Sequence, residues 1–305
     1  MKLWLSLLLL FLPVLALYFI YRKRQENESI LFIKLIGYMI MGGFTFAING
    51  VRLPAGFVIY LVFFTRPKRN KTIKQWAALL GLLIYAMQLL APSVQNYWFE
   101  RPRSVVSEGD NLYSYDFESN WSMVQKEFDI NYDARLEKFE VGYEKDGLIN
   151  ELRYEFLERE LEGYIYYRVK VKAAEQASVV ERQRIEGPWF QYDRSAAVSR
   201  FFEQLNAVDL RKIKPGRDFH YYILSAEGAR TAYAIEDATK YILRDGQIIE
   251  ITNSQLPIEG YWLKVCGAYG DPGCSERTDY FFDATYNNHK EEVVGDQIKE
   301  TGQNR

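Results

Sequence analysis

Four apolar stretches within the first 95 residues constrain the fold more than any other feature of this sequence. The first runs from Leu3 to Tyr21, and nineteen helical residues reach roughly 28 Å, close to the hydrocarbon thickness of a bilayer. A cleaved signal peptide would carry its positive charges ahead of the apolar run, whereas here they follow it. The sequence therefore predicts a transmembrane α-helical region with about four spans. Its predicted limits are 1–95 for the whole region and 3–21, 30–48, 53–65 and 75–92 for the spans.

Two basic clusters set the predicted orientation of this region. Their members are Arg22, Lys23, Arg24, Arg66, Lys68, Arg69, Lys71 and Lys74. Because short loops rich in Lys and Arg stay in the cytoplasm, both clusters are expected on the cytoplasmic side, with an even number of crossings between them. Two full spans satisfy this condition, and so does a re-entrant turn of the short third segment. The fourth span then places the large C-terminal domain outside the cytoplasm, in a multi-pass protein of the cell membrane. One lost or extra span would return that domain to the cytoplasm.

Lys34 is the one ionisable side chain within the apolar stretches. Intramembrane charges are often functional, but Lys34 lies one turn inside the predicted cytoplasmic end, where its long side chain can reach the interface. The stretches contain no Asp, Glu or His that would serve a proton relay, so a small transporter ranks last among the functions considered. Gly42 and Gly43 would allow neighbouring helices to pack closely.

The charge of the chain divides between its two parts. Residues 1–100 hold 11 Lys and Arg against three acids, and residues 101–305 hold 27 against 37. No basic patch therefore lies outside the apolar region, which argues against a nucleic-acid-binding protein. With 48% hydrophobic and 16% aromatic residues, the chain can also build a packed core, which excludes a disordered protein.

Strand-like alternation dominates the second part of the chain. Apolar side chains recur at every second position in 139–143, 152–156 and 165–171, which predicts a three-stranded antiparallel meander. Helical spacing marks 195–209, and Asp245-Gly246 is a residue pair favoured in two-residue hairpin loops. The prediction is an extracytoplasmic α+β domain with antiparallel meander sheets, built either as one domain or as two helix-plus-meander units. Its predicted limits are 101–286 for the domain, 115–173 and 190–255 for the two units, and 287–305 for a polar tail.

Two cysteines enclose a short loop rich in glycine and proline. If this loop lies outside the cytoplasm, a disulfide between Cys266 and Cys274 is the first interpretation, and two free thiols or half of a metal site are the alternatives. A structural zinc site needs four ligands, and the two histidines, His220 and His289, show no metal-binding spacing. No metal site is predicted.

An aromatic segment separates the two predicted units. Trp189, Phe190 and Tyr192 would form a surface for a partner or line a pocket, or they would close the core between the units. Upstream, Asn120 begins the sequence Asn-Trp-Ser and is a formal glycosylation site.

No catalytic or cofactor-binding motif is recognisable: the sequence lacks a nucleophile elbow, a phosphate-binding loop and a dinucleotide fingerprint. We therefore predict an integral membrane protein whose acidic extracytoplasmic domain binds a protein or ligand in the cell envelope, without a cofactor. Its expected partners are the lipid bilayer and an envelope or membrane protein. The alternative is a membrane-anchored envelope hydrolase that uses carboxylates, such as those within 158–162, or a Ser/His site.

Overall fold

The computed structural model describes residues 3–48, 51–64, 67–233, 240–252, 258–269 and 273–286. The chain divides into two compact units, Met1–Trp98 and Phe99–Arg305, and each has a hydrophobic core of its own. The predicted polar tail, 287–305, lies outside the described residues.

The first unit is helical apart from one small hairpin. Its elements are α1 (Leu3–Arg22), α2 (Leu31–Gly43), β1 (Phe46–Ile48), β2 (Val51–Leu53), α3 (Ala55–Ile59), which continues as a π-helical turn (Tyr60–Phe64), and α4 (Lys71–Glu100). β1 and β2 pair in the antiparallel sense. Side chains from α1, α2 and α4 form the core of this unit: Leu17, Leu31, Leu35, Ile73 and Ala77.

The prediction of about four spans is wrong. Within the described residues, α4 is the one helix long and apolar enough to cross a membrane, a criterion that rests on length and composition. The apolar helices Phe11–Arg22, Leu31–Gly43 and Ala55–Phe64 are shorter. At 1.5 Å per residue, the 13 residues of α2 reach about 20 Å, well short of the roughly 30 Å of a hydrocarbon core. Hydropathy alone misreads this region, because apolar residues continue through the β1–β2 hairpin after the helix has ended.

Glycines bring α2 and α4 into backbone contact. A methyl group added at Gly42 would collide with the carbonyl oxygen of Ala78, and one added at Gly81 would collide with that of Met39. The expectation of close packing at Gly42 is therefore confirmed, and Gly81 on α4 is a partner that the sequence did not single out. Small residues at such crossings are typical of helix packing in membranes.

A cluster of ion pairs joins the loop after α1 to the start of α4. Glu28 accepts hydrogen bonds from Lys34 (2.8 Å) and Lys74 (2.9 Å), and Asn70 donates to the same carboxylate at 3.2 Å. These donors lower the pKa of Glu28 to about 2. The structure thus pairs Lys34 with Glu28, a contact that hydropathy does not reveal. The loop after α1 carries Lys23 and Arg24 of the first basic cluster, and the start of α4 carries Lys71 and Lys74 of the second. These contacts therefore bring the loop and the start of α4 to the same end of this unit.

In the part of the chain that the structure describes, the second unit is built around one eleven-stranded mixed sheet. Its strands are β3 (Arg103–Val106), β4 (Arg135–Glu144), β5 (Ile149–Glu160), β6 (Gly163–Lys172), β7 (Ala177–Ile185), β8 (Tyr221–Glu227), β9 (Thr231–Tyr233), β10 (Lys240–Arg244), β11 (Gln247–Ile251), β12 (Ile258–Ala268) and β13 (Glu276–Tyr286), and its helices are α5 (Phe117–Phe128) and α6 (Val198–Ala207). The strand order is β11-β10-β13-β12-β8-β4-β5-β6-β7-β3, and β9 pairs with β12 outside this path. β10 and β13 are parallel, and the other neighbouring strands are antiparallel.

The division of this unit into two helix-plus-meander halves is wrong. β8, from the second half, pairs with β4 from the first, so that Val141 lies opposite Leu224. Alternation within a strand shows which side chains are buried, but it does not show which strand lies alongside. The chain does form β4, β5 and β6 as consecutive antiparallel neighbours, with β7 as a fourth. The hairpin at Asp245-Gly246 is confirmed, with φ of 50° and 74° at its two loop residues.

Both helices pack on the same face of the sheet. α5 begins where the side chain of Asp116 accepts a hydrogen bond from the backbone N–H of Ser119 at 2.9 Å, a typical N-cap. α6 presents Phe201 and Phe202 to Phe139 of β4, with ring centroids 5.0 and 6.1 Å apart. The helical spacing within 195–209 is confirmed, since its apolar residues are the ones that α6 buries.

The other face of β4–β7 carries cross-strand ion pairs. Arg153 contacts Glu140 at 2.5 Å, and Arg168 contacts Glu155 at 2.9 Å, with partly exposed side chains. Exposed pairs of this kind contribute about 0–1 kcal/mol each, so this part of the sheet has a solvated face.

Candidate binding surface

Three segments of the second unit meet at one end of the sheet. They are the α5–β4 loop (129–134), the β5–β6 turn (160–163) and the segment between β7 and α6 (186–197). Because β4, β5, β6 and β7 are antiparallel neighbours, the start of β4, the end of β5 and the end of β7 lie at the same end. These three segments are called the sheet-end surface below.

Glu158 holds the α5–β4 loop against the end of β5. It is 5% exposed, and its Oε1 accepts hydrogen bonds from the backbone N–H (2.9 Å) and the side-chain amide (2.7 Å) of Asn131. Its Oε2 accepts from Tyr167 Oη at 2.9 Å. Burial, together with the neighbouring carboxylate, raises the pKa of Tyr167, so the phenol remains a donor at neutral pH. Three donors therefore satisfy this buried carboxylate, and the contact fixes the loop.

Tyr192 holds the segment after β7 against the same loop. It is 1% exposed, and its hydroxyl donates to the backbone carbonyl oxygen of Asp133 at 3.0 Å. Its ring contacts that of Tyr164, with centroids 5.2 Å apart, and the guanidinium of Arg159, 4.4 Å away. Arg159 forms an ion pair with Asp193 at 2.8 Å. The three segments are thus connected by side-chain contacts.

The aromatic segment identified in the sequence occupies three different environments. Tyr192 is buried in the contact with Asp133. Trp189 is partly buried and hydrogen-bonds to Glu137, a carboxyl whose pKa is raised by burial. Phe190 is 89% exposed. Each of the two interpretations of this segment therefore describes one of its residues: Tyr192 packs inside, and Phe190 lies on the surface.

Each of the three segments exposes one large apolar side chain. Tyr132 on the first segment is 85% exposed, Leu161 on the second is fully exposed, and Phe190 on the third is 89% exposed. Sequence reasoning missed Tyr132 and Leu161, although an isolated apolar residue between Asn131 and Asp133, or between two glutamates, is a weak signal of a surface position. Grouped apolar exposure of this kind marks interaction sites in folded proteins.

Residues of the α5–β4 loop and of the β5–β6 turn line a shallow groove. Its lining consists of Asn131, Tyr132, Asp133, Glu158, Arg159, Glu160, Leu161 and Glu162. The lining residues therefore include four carboxylates and one guanidinium, that of Arg159. Arg159 is paired with Asp193, and Glu160 is paired with Arg184 at 3.5 Å. The groove is acidic and is flanked by apolar side chains.

Cys266 and Cys274 lie at the opposite end of the sheet. Their Cα atoms are 5.2 Å apart, within the range for a disulfide, so the pair is capable of forming one across the β12–β13 hairpin. Ala268, beside them, pairs with Tyr221 of β8. Tyr221 in turn pairs with Glu144, the last residue of β4, whereas the sheet-end surface adjoins the first.

The residues considered for catalysis or metal binding do not converge. His220 is exposed beside Lys145 and Tyr221, and His289 lies outside the described residues. Of the carboxylates in 158–162, Glu158 serves as a structural acceptor. Within the described part of the chain, no group of three or more His, Cys, Asp or Glu side chains is arranged to hold a metal ion.

Asn120 is buried, although its sequence matches a glycosylation site. It is 3% exposed, and its amide nitrogen donates to Ser107 Oγ and Ser178 Oγ at 3.0 Å. Its amide oxygen accepts from Tyr154 Oη at 3.1 Å. The folded protein therefore does not offer this amide for modification.

The basic residues that determine the predicted topology differ in exposure. Arg22, Lys23, Arg24, Lys68, Arg69 and Lys71 are exposed, Lys74 is buried beside Glu28, and Arg66 lies outside the described residues.

The fold defines an α+β protein with a large mixed sheet whose one face is covered by two helices. The chain belongs to an archaeal protein family, whose sequence model matches residues 118–293. The match begins in α5 and includes β4–β13, so the sheet-end surface lies entirely within it. No curated protein and no solved structure matches the chain.

Proposed function

We propose that this protein is attached to a membrane and presents its second unit outside the cytoplasm as a binding module for a protein partner. The observation that carries the proposal is the exposure of Tyr132, Leu161 and Phe190 on three segments that are held in place. Each such side chain gains about 1.5–3 kcal/mol when a partner buries it fully.

The contacts beneath these residues suit the surface to binding. Glu158 fixes the loop that carries Tyr132, and Tyr192 fixes the segment that carries Phe190. A surface that is ordered before binding loses less conformational entropy when the partner arrives. More of the interaction free energy is then retained as affinity.

α4 supports attachment to a membrane. Trp76 near its start is 59% exposed, and Trp98 near its end is 60% exposed. Their separation of 22 positions corresponds to roughly 33 Å of helix. Tryptophan is enriched at both interfaces of a bilayer, and this separation suits a hydrocarbon core of about 30 Å.

One crossing by α4 is enough to place the second unit outside the cytoplasm. Five Lys and Arg lie within 66–74, before and at the start of α4, against two within 100–108. This excess of positive charge favours the cytoplasmic side for the start of α4. The disulfide-capable pair Cys266 and Cys274 suits the non-reducing compartment on the other side.

Photo-crosslinking in intact cells tests the binding role. A benzophenone amino acid replaces Leu161, and a matched variant carries it at Asn150, an exposed residue at the other end of β5. We expect a discrete adduct from position 161 that position 150 does not give, and loss of that adduct in Phe190→Ser. No adduct, or the same adducts from both positions, would refute the proposal.

A further inference from the structure

We infer that the groove of the sheet-end surface receives a positively charged segment of another protein, in which lysine or arginine alternates with apolar residues. This inference rests on the proposed function and adds the chemistry of the partner. Two features support it: the charge of the groove and the exposed apolar side chains of the sheet-end surface.

The charge balance of the groove favours a cationic occupant. Among the described residues that line the groove, Arg159 is the one cation, and it is already engaged by Asp193 at 2.8 Å and by the ring of Tyr192. Among the described residues, Asp133 and Glu162 form no ion pair. A cation entering the groove therefore meets two carboxylates, those of Asp133 and Glu162, with which no described side chain forms an ion pair.

The exposed apolar side chains indicate that the partner segment carries apolar residues as well as cations. Tyr132 and Leu161 both line the groove, and Phe190 is exposed on the adjoining segment. In an extended chain, successive side chains point in opposite directions, so alternate residues share one face. A segment with this alternation can direct its cations to the carboxylates and its apolar residues to the exposed rings and the leucine.

A lipid surface fits the groove less well. Anionic headgroups give a membrane a negative surface potential, which attracts basic segments and repels carboxylates. Nucleic acid is disfavoured for the same reason, because its phosphates would meet an acidic wall. The groove thus favours protein over either polyanion.

A peptide-binding measurement on the full chain in nanodiscs of zwitterionic lipid tests this inference. The probe is a fluorescent peptide in which lysine alternates with leucine, and glutamate replaces lysine in the comparison peptide. The test variant combines Asp133→Asn with Glu162→Gln. The matched control combines Glu108→Gln with Glu250→Gln, which removes two exposed carboxylates outside the groove.

We expect the lysine peptide to bind the original protein and the control variant equally, and the test variant about fivefold to twentyfold more weakly. Added salt should reduce this difference, because exposed charges are screened. The glutamate peptide should not bind.

Four outcomes would overturn the inference: no binding of the lysine peptide, equal affinity for the test variant, binding of the glutamate peptide, or equal binding to nanodiscs without protein, which would identify lipid as the ligand. If the adduct at position 161 still forms in cells, the surface binds a partner of different chemistry, and the proposed function stands without this inference. If neither the adduct at position 161 nor binding of the lysine peptide is observed, both the proposed function and this inference are refuted.

Discussion

Glu158→Gln tests whether one buried carboxylate organises the sheet-end surface. The substitution preserves the size of the side chain and removes its charge. The carboxylate accepts two hydrogen bonds from Asn131 and one from Tyr167, at 2.7–2.9 Å. Hydrogen bonds to a charged group contribute about 1.5–3 kcal/mol each, against about 0.5–1.5 kcal/mol for neutral pairs.

The expected loss follows from these three bonds. Loss of the charge weakens each bond by roughly 1 kcal/mol, and Tyr167 must turn from donor to acceptor because the new amide nitrogen can only donate. Part of this loss is offset, since a neutral amide is less costly to bury than a carboxylate. We therefore expect the free energy of unfolding to fall by about 2 kcal/mol in Glu158→Gln and by about 4 kcal/mol in Glu158→Leu, which leaves all the donors without an acceptor.

Denaturant unfolding and hydrogen exchange of the full chain in detergent measure this effect. The backbone N–H of Asn131 donates directly to Glu158, so its exchange should accelerate by about thirtyfold for a change of 2 kcal/mol. Glu160→Gln is the matched control, because that side chain makes only a 3.5 Å pair with Arg184, which is worth less than about 1 kcal/mol. Equal effects of the two substitutions, or unchanged exchange at Asn131, would refute this account of the loop.

Three further predictions concern other parts of the chain. The pKa of Glu28 falls from an ordinary 4.5 to about 2 on folding, so its ion pairs stabilise the first unit above pH 4.5, and that stability is lost as the pH falls towards 2. Thermal unfolding between these pH values should show the loss, and Glu28→Gln should reduce this pH dependence, to which Asp218, whose pKa is also lowered to about 2, contributes as well. Gly42→Val should reduce the yield of folded protein, whereas Gly37→Val on the same helix, where a side chain has open space, should not; similar yields would contradict the packing of α2 on α4. On intact cells, an impermeant maleimide should label Cys266 and Cys274 only after an impermeant reductant, and labelling only after lysis would contradict the orientation.

Local periodicity predicts those parts of the fold in which neighbours along the chain decide the outcome. The spacing of Phe201, Phe202 and Leu205 is set by one face of one helix, and α6 buries these residues. Asp245-Gly246 needs only its own backbone preferences to turn the chain. The sequence of a few adjacent residues is enough to predict such elements.

The first unit shows a part of the fold that local periodicity and hydropathy do not predict. Hydropathy measures composition, and composition does not show that α2 stops at Gly43 and that the following apolar residues form a hairpin. Nor does it show that Glu28, 46 positions before Lys74, meets that lysine. Both features depend on contacts between segments that are distant in sequence, and the count of spans failed for that reason.

The sheet-end surface is an intermediate case. Tyr132, Leu161 and Phe190 are distant in sequence, but strand direction alone brings their segments together, because an antiparallel meander returns to the same end after every second strand. A meander over 139–171 already implies that the residues before β4 and the β5–β6 turn share one end. The strand that the sequence analysis did not predict is β7, because apolar and polar residues alternate less clearly around Val180, Arg182 and Arg184. This strand returns the chain to the same end of the sheet before Phe190. With this fourth strand recognised, the position of the surface follows from the sequence; its chemistry does not, because that depends on which carboxylates remain unpaired.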